Sequence, residues 1–446
     1  PPCGGSGVQR WVKFTKYLPS FGWEPVIYTP ENPDMTLVDN TLGKDIPPHT
    51  TILKAPIIEP YTLFRKIVGK KEGTSGVNPI NNTSDKSLKM RLSLWVRANL
   101  FIPDPKFLWI RPSVKILSRY LKENKVDLII STGPPHSMHL IAKKIAKKFN
   151  IRWIADFRDP WTKIFYFKHL PLTKIARKRY NTLEKRVLLE ADAIVTVSDP
   201  IKEEFERMIK SFGGTTPVYT VENGYDESDF PTEEITMDHQ FTFLHTGLFA
   251  NEGNPESLWK VLGDLTRQIP RFKRDLLVKL IGKADREVLD NVLENLPQEN
   301  LYTPGYLPHN EVNIQQMSAR ILLLPLRKEP EAAGILTGKY FEYLASGRPI
   351  IAFGPKKSAL NHSLSLTGAG VIFDWDNEKE LKEYILREYM EFLKERGAKE
   401  SEIDAIDSIR KAICCTPVVK KDYSVEEVKK FSRRALTAKI TKIFPK

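Results

Sequence analysis

Three stretches of the sequence gather residues able to do chemistry. The first is the glycine-rich turn Pro1-Pro2-Cys3-Gly4-Gly5-Ser6-Gly7. It runs into a helical pattern that puts Val8, Trp11, Val12, Phe14, Thr15 and Leu18 largely on one face. Glycines such as Gly4 and Gly5 let the backbone approach a ligand closely, and a helix start offers unpaired N–H groups with partial positive charge. That combination suits phosphate. The spacing is neither GxGxxG nor a Walker loop, so a plain tight turn is an even alternative. A turn of this kind normally follows a strand, and none precedes it. The expectation is a first strand and its start, roughly ten residues, upstream of Pro1.

The second stretch is a pair of loops. Ser131-Thr132-Gly133-Pro134-Pro135-His136 and Asp156-Phe157-Arg158-Asp159-Pro160-Trp161 each follow an apolar run. Both loops would sit at the C-terminal ends of parallel strands, where open α/β folds bind ligands. Asp156, Arg158 and His136 are the candidate catalytic residues. A lone histidine is more often structural. Three charges at a strand end are costly to bury unless they pair or bind something, so an ion pair such as Arg158 with Asp159 stays open.

The third stretch runs from Pro325-Leu326-Arg327-Lys328 through Gly334 to Thr337-Gly338-Lys339-Tyr340-Phe341-Glu342-Tyr343-Leu344-Ala345-Ser346-Gly347-Arg348-Pro349. It reads as strand, glycine loop, helix, glycine stop, strand. Gly334 and Gly338 would leave N–H groups open near a helix start. Lys339 is a first-turn cation that opposes the helix dipole, which suggests a phosphate contact. Glu342, one turn on, can accept two hydrogen bonds from a ribose diol. Some chemistries are excluded. There is no Gly-Lys-Ser/Thr motif, so the P-loop NTPase reading fails. No Asp-x-Asp stands at a strand end with a matching partner, and Cys/His clusters are absent, so no catalytic metal and no cofactor are expected.

The elements that must carry these loops follow from the pattern. With 41% hydrophobic and 28% charged residues in 446, disorder and fibrous repeats are ruled out, and two or three domains are expected. Apolar runs at 25–29, 51–54, 126–131, 152–155, 193–198 and 218–222 alternate with amphipathic stretches at 112–124, 137–149, 173–190 and 200–210. A second series runs through 241–245, 277–281, 321–326, 349–353 and 370–373. Continuous apolar strands, each followed by a helix, indicate parallel sheets covered on both faces. The fold class is α/β, with two Rossmann-like doubly wound domains. The domains read as 1–232, with an insertion at about 60–111, and 233–423. An irregular segment at 401–423 precedes a basic amphipathic helix within 424–446, expected to pack back toward the first domain.

Charge and cysteine usage narrow the partners. Lys+Arg is 68 against Asp+Glu 55, a net +13 that favours anionic partners. The basic residues are dispersed and no nucleic-acid motif occurs, so nucleic acid ranks low. Three cysteines with no CxxC spacing argue against a disulfide framework, and the sequon at Asn81-Asn82-Thr83 reads as chance. No run approaches the ~18 apolar residues of a spanning helix, and no signal peptide is read. A reducing cytoplasmic compartment is expected. Residues 60–111 interleave Lys66, Lys70, Lys71, Lys86, Lys89, Arg91 and Arg97 with Trp95, Phe101, Phe107 and Trp109. Such a region suits either an anionic membrane at the inner face of the plasma membrane or a solvated basic face.

On these residues the chain resembles a family 4 (group 1) glycosyltransferase of the GT-B architecture, in the bacterial surface-polysaccharide branch. The resemblance covers nearly the whole chain. Pro1–Arg10 resembles the loop after that family's first strand. Glu222-Asn223-Gly224-Tyr225-Asp226 with Phe230 resembles its element before the linker. Leu244-His245-Thr246-Gly247 resembles its second glycine loop, and Thr337–Pro349 its donor signature. The resemblance implies two domains facing a cleft, a nucleotide-sugar donor on the C-terminal one and a glycan or lipid-linked acceptor on the N-terminal one. It implies transfer with retention and without metal. Glu342 matches the second glutamate of the E-x7-E signature, and Gly5 matches the loop residue that approaches the donor phosphates. The chain departs from the pattern at Gly334, where the first glutamate would stand. The usual phosphate cations after Gly247 are missing, with Lys283, Arg327 and Lys339 as substitutes. The block Asp156–Asp159 replaces the family's histidine. A nucleotide-sugar epimerase and a non-catalytic binding scaffold are the alternatives.

Overall fold

The computed structural model describes residues 6–33, 40–57, 88–334, 336–413, 416–418 and 420–445. Gly4, Gly5, the sequon and the first part of the 60–111 insertion lie outside the described residues. The chain divides into two units, Pro1–Glu222 with Arg433–Lys446, and Asn223–Ser432. The division falls at the turn Glu222-Asn223, ahead of the polar stretch that suggested 232. The reason is apolar: Tyr225 is buried in the second unit and packs edge-on against Phe230.

Among its described residues the first unit holds two parallel sheets. β1 (Val26–Pro30) pairs with β2 (Thr51–Ala55). β3 (Leu128–Gly133), β4 (Arg152–Phe157), β5 (Ala193–Thr196) and β6 (Val218–Thr220) form a four-stranded sheet in that order. Strand alternation sends side chains to opposite faces. Trp153, Ala155 and Phe157 of β4 join Val187, Leu188 and Phe205 in one core, while Ile154 joins Phe14, Val195, Leu436 and Ile440 in the other. Among the described residues β1 pairs only with β2, and β3 only with β4. The unpaired sides of both strands line a groove of about 2350 Å³. It reaches the strand ends at Pro134, His136, Arg158, Asp159, Trp161 and Tyr166.

The second unit has one six-stranded parallel sheet. Its strands are β7 (Phe241–Thr246), β8 (Leu276–Ile281), β9 (Leu301–Gly305), β10 (Ile321–Pro325), β11 (Ile350–Phe353) and β12 (Gly370–Phe373). The order β12-β11-β10-β7-β8-β9 reverses direction between β7 and β10. That is the Rossmann order, and the crevice for a ligand opens at the carboxyl ends of those two strands.

Three elements differ from the sequence reading. β9 was not read as a strand, because an edge position leaves Tyr302 49% exposed and removes the apolar run. The segment after 400, read as irregular, contains the helix Glu400–Lys411. Glu400 and Glu402 in its first turn and Arg410 and Lys411 in its last favour the helix dipole. The single helix expected within 424–446 is two, Val425–Lys429 in the second unit and Arg433–Thr441 in the first.

Candidate functional site

In the second unit the glycine loop after β7 meets the helix Gly338–Ser346. Gly247 has φ +85°, and its N–H donates to Ile281 O at 2.7 Å. Gly282, after β8, has φ +117°. A Cβ there would lie 2.5 Å from Gly247 O, so two backbones meet where no side chain fits. Lys339 lies across the same loop. Its Cε would stand 2.9 Å from a Cβ on Gly247. Its Nζ donates to Leu248 O at 2.9 Å and to His245 Nε2 at 3.0 Å. His245 Nδ1 faces Leu323 O at 3.0 Å and Nε2 faces Leu248 O at 3.2 Å; with the proton on Nδ1, Nε2 is left to accept from the Lys339 ammonium. Burial, with Lys339 beside it, holds the imidazole down to about 3, so it is neutral. Burial lowers the Lys339 ammonium to about 8, against a smaller opposing pull from Glu342.

Glu342 follows one turn on with its side chain partly exposed. Gln316 Nε2 lies 3.4 Å from Glu342 Oε2 and 3.2 Å from Thr246 Oγ1, and His309 Nε2 lies 3.4 Å from Oε1. Tyr343 is fully buried, and its hydroxyl accepts the Thr246 N–H at 3.0 Å. The helix is thereby fixed to the strand end that carries Gly247. Thr337 precedes the helix, and its buried Oγ1 has no partner among the described residues. Gly338 is exposed at the helix start. Lys283 is exposed in the loop after β8, and Arg327 is half-buried just beyond β10. Gly334 ends the short turn Pro330–Gly334. The structure thus joins Gly247, Lys339 and Glu342 directly. Gly282, His245, Gln316 and Tyr343 were not singled out. Of these only Gly282, beside Lys283 in a glycine turn after an apolar run, carried a visible signal.

In the first unit Asp156 has an unexpected place. It is fully buried and accepts from Arg10 Nε (3.2 Å) and Nη2 (2.9 Å), Trp11 Nε1 (2.7 Å) and Thr132 Oγ1 (2.8 Å). Burial alone would raise its carboxyl. Arg10 and the other donors outweigh that and hold it below the ordinary range. A carboxylate with four donors is an anchor for the helix Ser6–Tyr17, a packing role that its reading as a catalytic group did not foresee. The structural ion pair is therefore Arg10 with Asp156, and not Arg158 with Asp159. Arg158 lies against the helix start, where a Cβ on Gly7 would overlap its guanidinium, and it donates to Pro134 O. His136 stacks on Trp161 with ring centroids 4.3 Å apart. Burial, with His139 and Arg158 nearby, keeps it neutral. His136 and Arg158 come together on the groove, and Asp156 lies beneath them.

Comparisons with known proteins agree with this architecture. The family described as Glycosyltransferase Family 4 matches residues 81–229. TuaH of Bacillus subtilis (strain 168), named for a glycosyltransferase of teichuronic acid biosynthesis, is 25% identical over 206 residues, 44% of this chain and 49% of that protein. Among solved structures, sucrose-phosphate synthase from Thermosynechococcus elongatus superposes with a TM-score of 0.54 at 15% identity, covering 99% of this chain and 92% of that one. A trehalose-6-phosphate protein from E. coli bound with UDP-2-fluoro glucose gives 0.56 at 10% identity, covering 99% and 96%. Anabaena Alr3699/HepE in complex with UDP gives 0.52 at 12% identity, covering 99% and 96%. Residues 81–229 are thus similar to the family 4 glycosyltransferases, and the fold of the whole chain is shared with these solved structures. The chain spans about half the length of the curated relative that it matches. The solved structures, all distant in sequence, speak for the fold. They place two Rossmann-like domains in each neighbour, as in the two units here.

Proposed function

We propose that this protein is a glycosyltransferase that moves a sugar from a nucleotide-diphosphate donor to a hydroxyl of a glycan or lipid-linked acceptor, with retention and without a metal. The observation that carries the reading is Lys339 laid over Gly247, with Glu342 one turn further along, at the point where the second sheet reverses. Charge grows on the departing diphosphate as the sugar takes on oxocarbenium character. Lys339 and the open N–H groups at the start of Gly338–Ser346 are preorganised for that charge. Lys283 and Arg327 are further cations for the same anion. Glu342 takes the ribose hydroxyls. In the first unit Arg158 and His136 line the acceptor groove.

UDP, GDP, ADP and dTDP are the ligands to test, UDP first, because two neighbours of this fold hold uridine nucleotides. A thermal-shift screen of the full chain and Glu342→Ala decides the reading. Saturating ligand at ~100 Kd adds about 2.7 kcal/mol. A shift with one nucleotide, lost in Glu342→Ala, supports the donor site. No shift with any of them sinks it. Unchanged turnover in EDTA and NMR of the product anomer test metal independence and retention.

Gly334, standing where the family signature has its first glutamate, favours one second reading, a nucleotide-sugar-binding scaffold. Binding without turnover across acceptors would support it. For location, the reading is a cytoplasmic protein resting on an anionic membrane through the helix Leu88–Leu100. Leu88, Leu92 and Trp95 are exposed there beside Arg91. No described helix is long and apolar enough to cross a membrane.

A further inference from the structure

Two neighbours on the helix Gly338–Ser346, Glu342 and Tyr343, are both tied to Thr246 at the end of β7. Tyr343 reaches it directly. Its hydroxyl accepts the Thr246 N–H and lies 3.3 Å from Thr246 Oγ1. Glu342 reaches it through one side chain, Gln316 on the helix His309–Ser318. Gln316 Nε2 lies 3.2 Å from Thr246 Oγ1 and 3.4 Å from Glu342 Oε2. The network starts and ends on adjacent residues of one helix, so it sets that helix against the strand end.

The direction of the amide follows from its neighbours. A carboxylate only accepts, so the amide nitrogen is the atom that faces Glu342. Turned over, the amide would set Oε1 against the carboxylate, and Nε2 would lose both acceptors. Gln316 is fully buried, and Oε1 has no partner among the described residues. Its side chain therefore acts through Nε2 alone and cannot turn out to water.

Glu342 itself is 27% exposed at its side chain, so it needs such a tether to keep one orientation. A carboxylate has about four acceptor positions. Gln316 takes one on Oε2, and His309 Nε2, at 3.4 Å, takes one on Oε1. One position is left on each oxygen. That arrangement suits two adjacent hydroxyls, one for each oxygen. A single hydroxyl can be met by a carboxylate that turns freely. Two at once need it held.

We infer that Gln316 is a positioning residue that sets a preference for ribose over 2′-deoxyribose nucleotides, by holding the Glu342 carboxylate for both ribose hydroxyls. This deepens the donor-site reading and rests on it. The test titrates the full chain, Gln316→Met and Gln316→Glu by calorimetry with UDP and 2′-deoxy-UDP, and with the corresponding GDP and ADP pairs. Both replacements are close to glutamine in size. The first removes the donor, and the second sets a like charge against Glu342. Wild type should bind the ribose member of a pair roughly 10- to 100-fold more tightly than its deoxy partner, the range for a hydrogen bond to a charged group. In both variants the ratio should fall below ~3-fold, through weaker binding of the ribose nucleotide, with the deoxy nucleotide within ~3-fold of its wild-type affinity. A general loosening of the fold would weaken both members alike and leave the ratio where it was.

Equal binding of both members by the wild type overturns the inference, whatever the variants' folding. So does a ratio that keeps its wild-type value in the variants, or a loss shared equally by both members. Failure of the donor-site reading has its own signature: the wild type binds no member of any pair, and the inference falls with it.

Discussion

Arg10 and Asp156, 146 positions apart, meet in a fully buried two-point ion pair. The same guanidinium donates to Val221 O at 2.9 Å and Glu222 O at 2.8 Å. One side chain therefore ties the helix Ser6–Tyr17 to β4 and to the chain leaving β6. Removing one partner of such a pair leaves an uncompensated buried charge, which costs about 3–5 kcal/mol. Asp156→Ala should lower the stability of the first unit by that order in urea, while UDP still protects the second unit. A variant as stable as wild type would refute the anchor role.

The same pair gives a pH dependence with a definite sign. The folded-state carboxyl of Asp156 is held below its ordinary value, so the unfolded chain binds more protons in acid. Its contribution is present above the unfolded carboxylate value of about 3.9 and is lost as pH falls through the lower folded value. Acid unfolding of Asp156→Asn, read by circular dichroism, should therefore be less steep below pH 4 than that of wild type. Identical slopes would mean that another group dominates there.

Lys339 gives the same sign in an alkaline window. Its folded value of about 8 lies below that of an unfolded lysine, about 10.4. The unfolded chain binds more protons between those values, so this group makes stability rise with pH across that window. Ligand binding runs the other way, because a diphosphate needs the ammonium. UDP affinity should fall about tenfold between pH 7 and pH 9.5, and Lys339→Met should be weaker at pH 7 and nearly flat. A wild-type profile as flat as the variant's would remove Lys339 from the phosphate site.

Gly282 has no room for a side chain and a φ that L-residues rarely adopt. Gly282→Ala should cost about 1–3 kcal/mol through backbone strain. It should also weaken UDP, because the Gly247 loop must move to admit the methyl group. Gly213, also at positive φ but with open space around it, is the control. Gly213→Ala should leave UDP binding unchanged. Equal effects on UDP at the two positions would show that the close backbone approach is irrelevant to the site.

The sequence made the second unit legible because its strands are continuous apolar runs and its loops carry Gly247, Gly338 and Lys339 at strand and helix ends. Periodicity reports burial, and β9 is half-exposed, so it escaped. The role of Asp156 escaped for a different reason. Its partners Arg10, Trp11 and Thr132 come from distant segments, and three charges in a row look alike until the fold saturates one carboxylate and leaves Asp159 open. His245 and Gln316 act by filling hydrogen bonds around Lys339 and Glu342, a task that no local spacing encodes.

The helix Leu88–Leu100 carries the prediction about membranes. Leu88 (80% exposed), Leu92 (64%) and Trp95 (40%) recur at helical spacing on one stripe. The helix is joined to the start of the helix Lys174–Glu190 through Asn99, which accepts from Thr173 N at 2.7 Å and donates to Pro171 O at 2.8 Å. Beyond that joint Lys174, Lys178 and Arg179 are exposed together with Ile175. Apolar residues inserting among headgroups and cations meeting anionic lipid act together. Sedimentation with phosphatidylglycerol-containing vesicles should retain the protein, and pure phosphatidylcholine vesicles should retain far less. The double change Leu92→Ser and Trp95→Ser should weaken binding about tenfold. Raising salt from 0.1 to 0.5 M should weaken it as well, because the exposed charges are then screened within a few ångströms. Retention that ignores lipid charge, salt and the double change alike would assign this stripe to something other than a membrane.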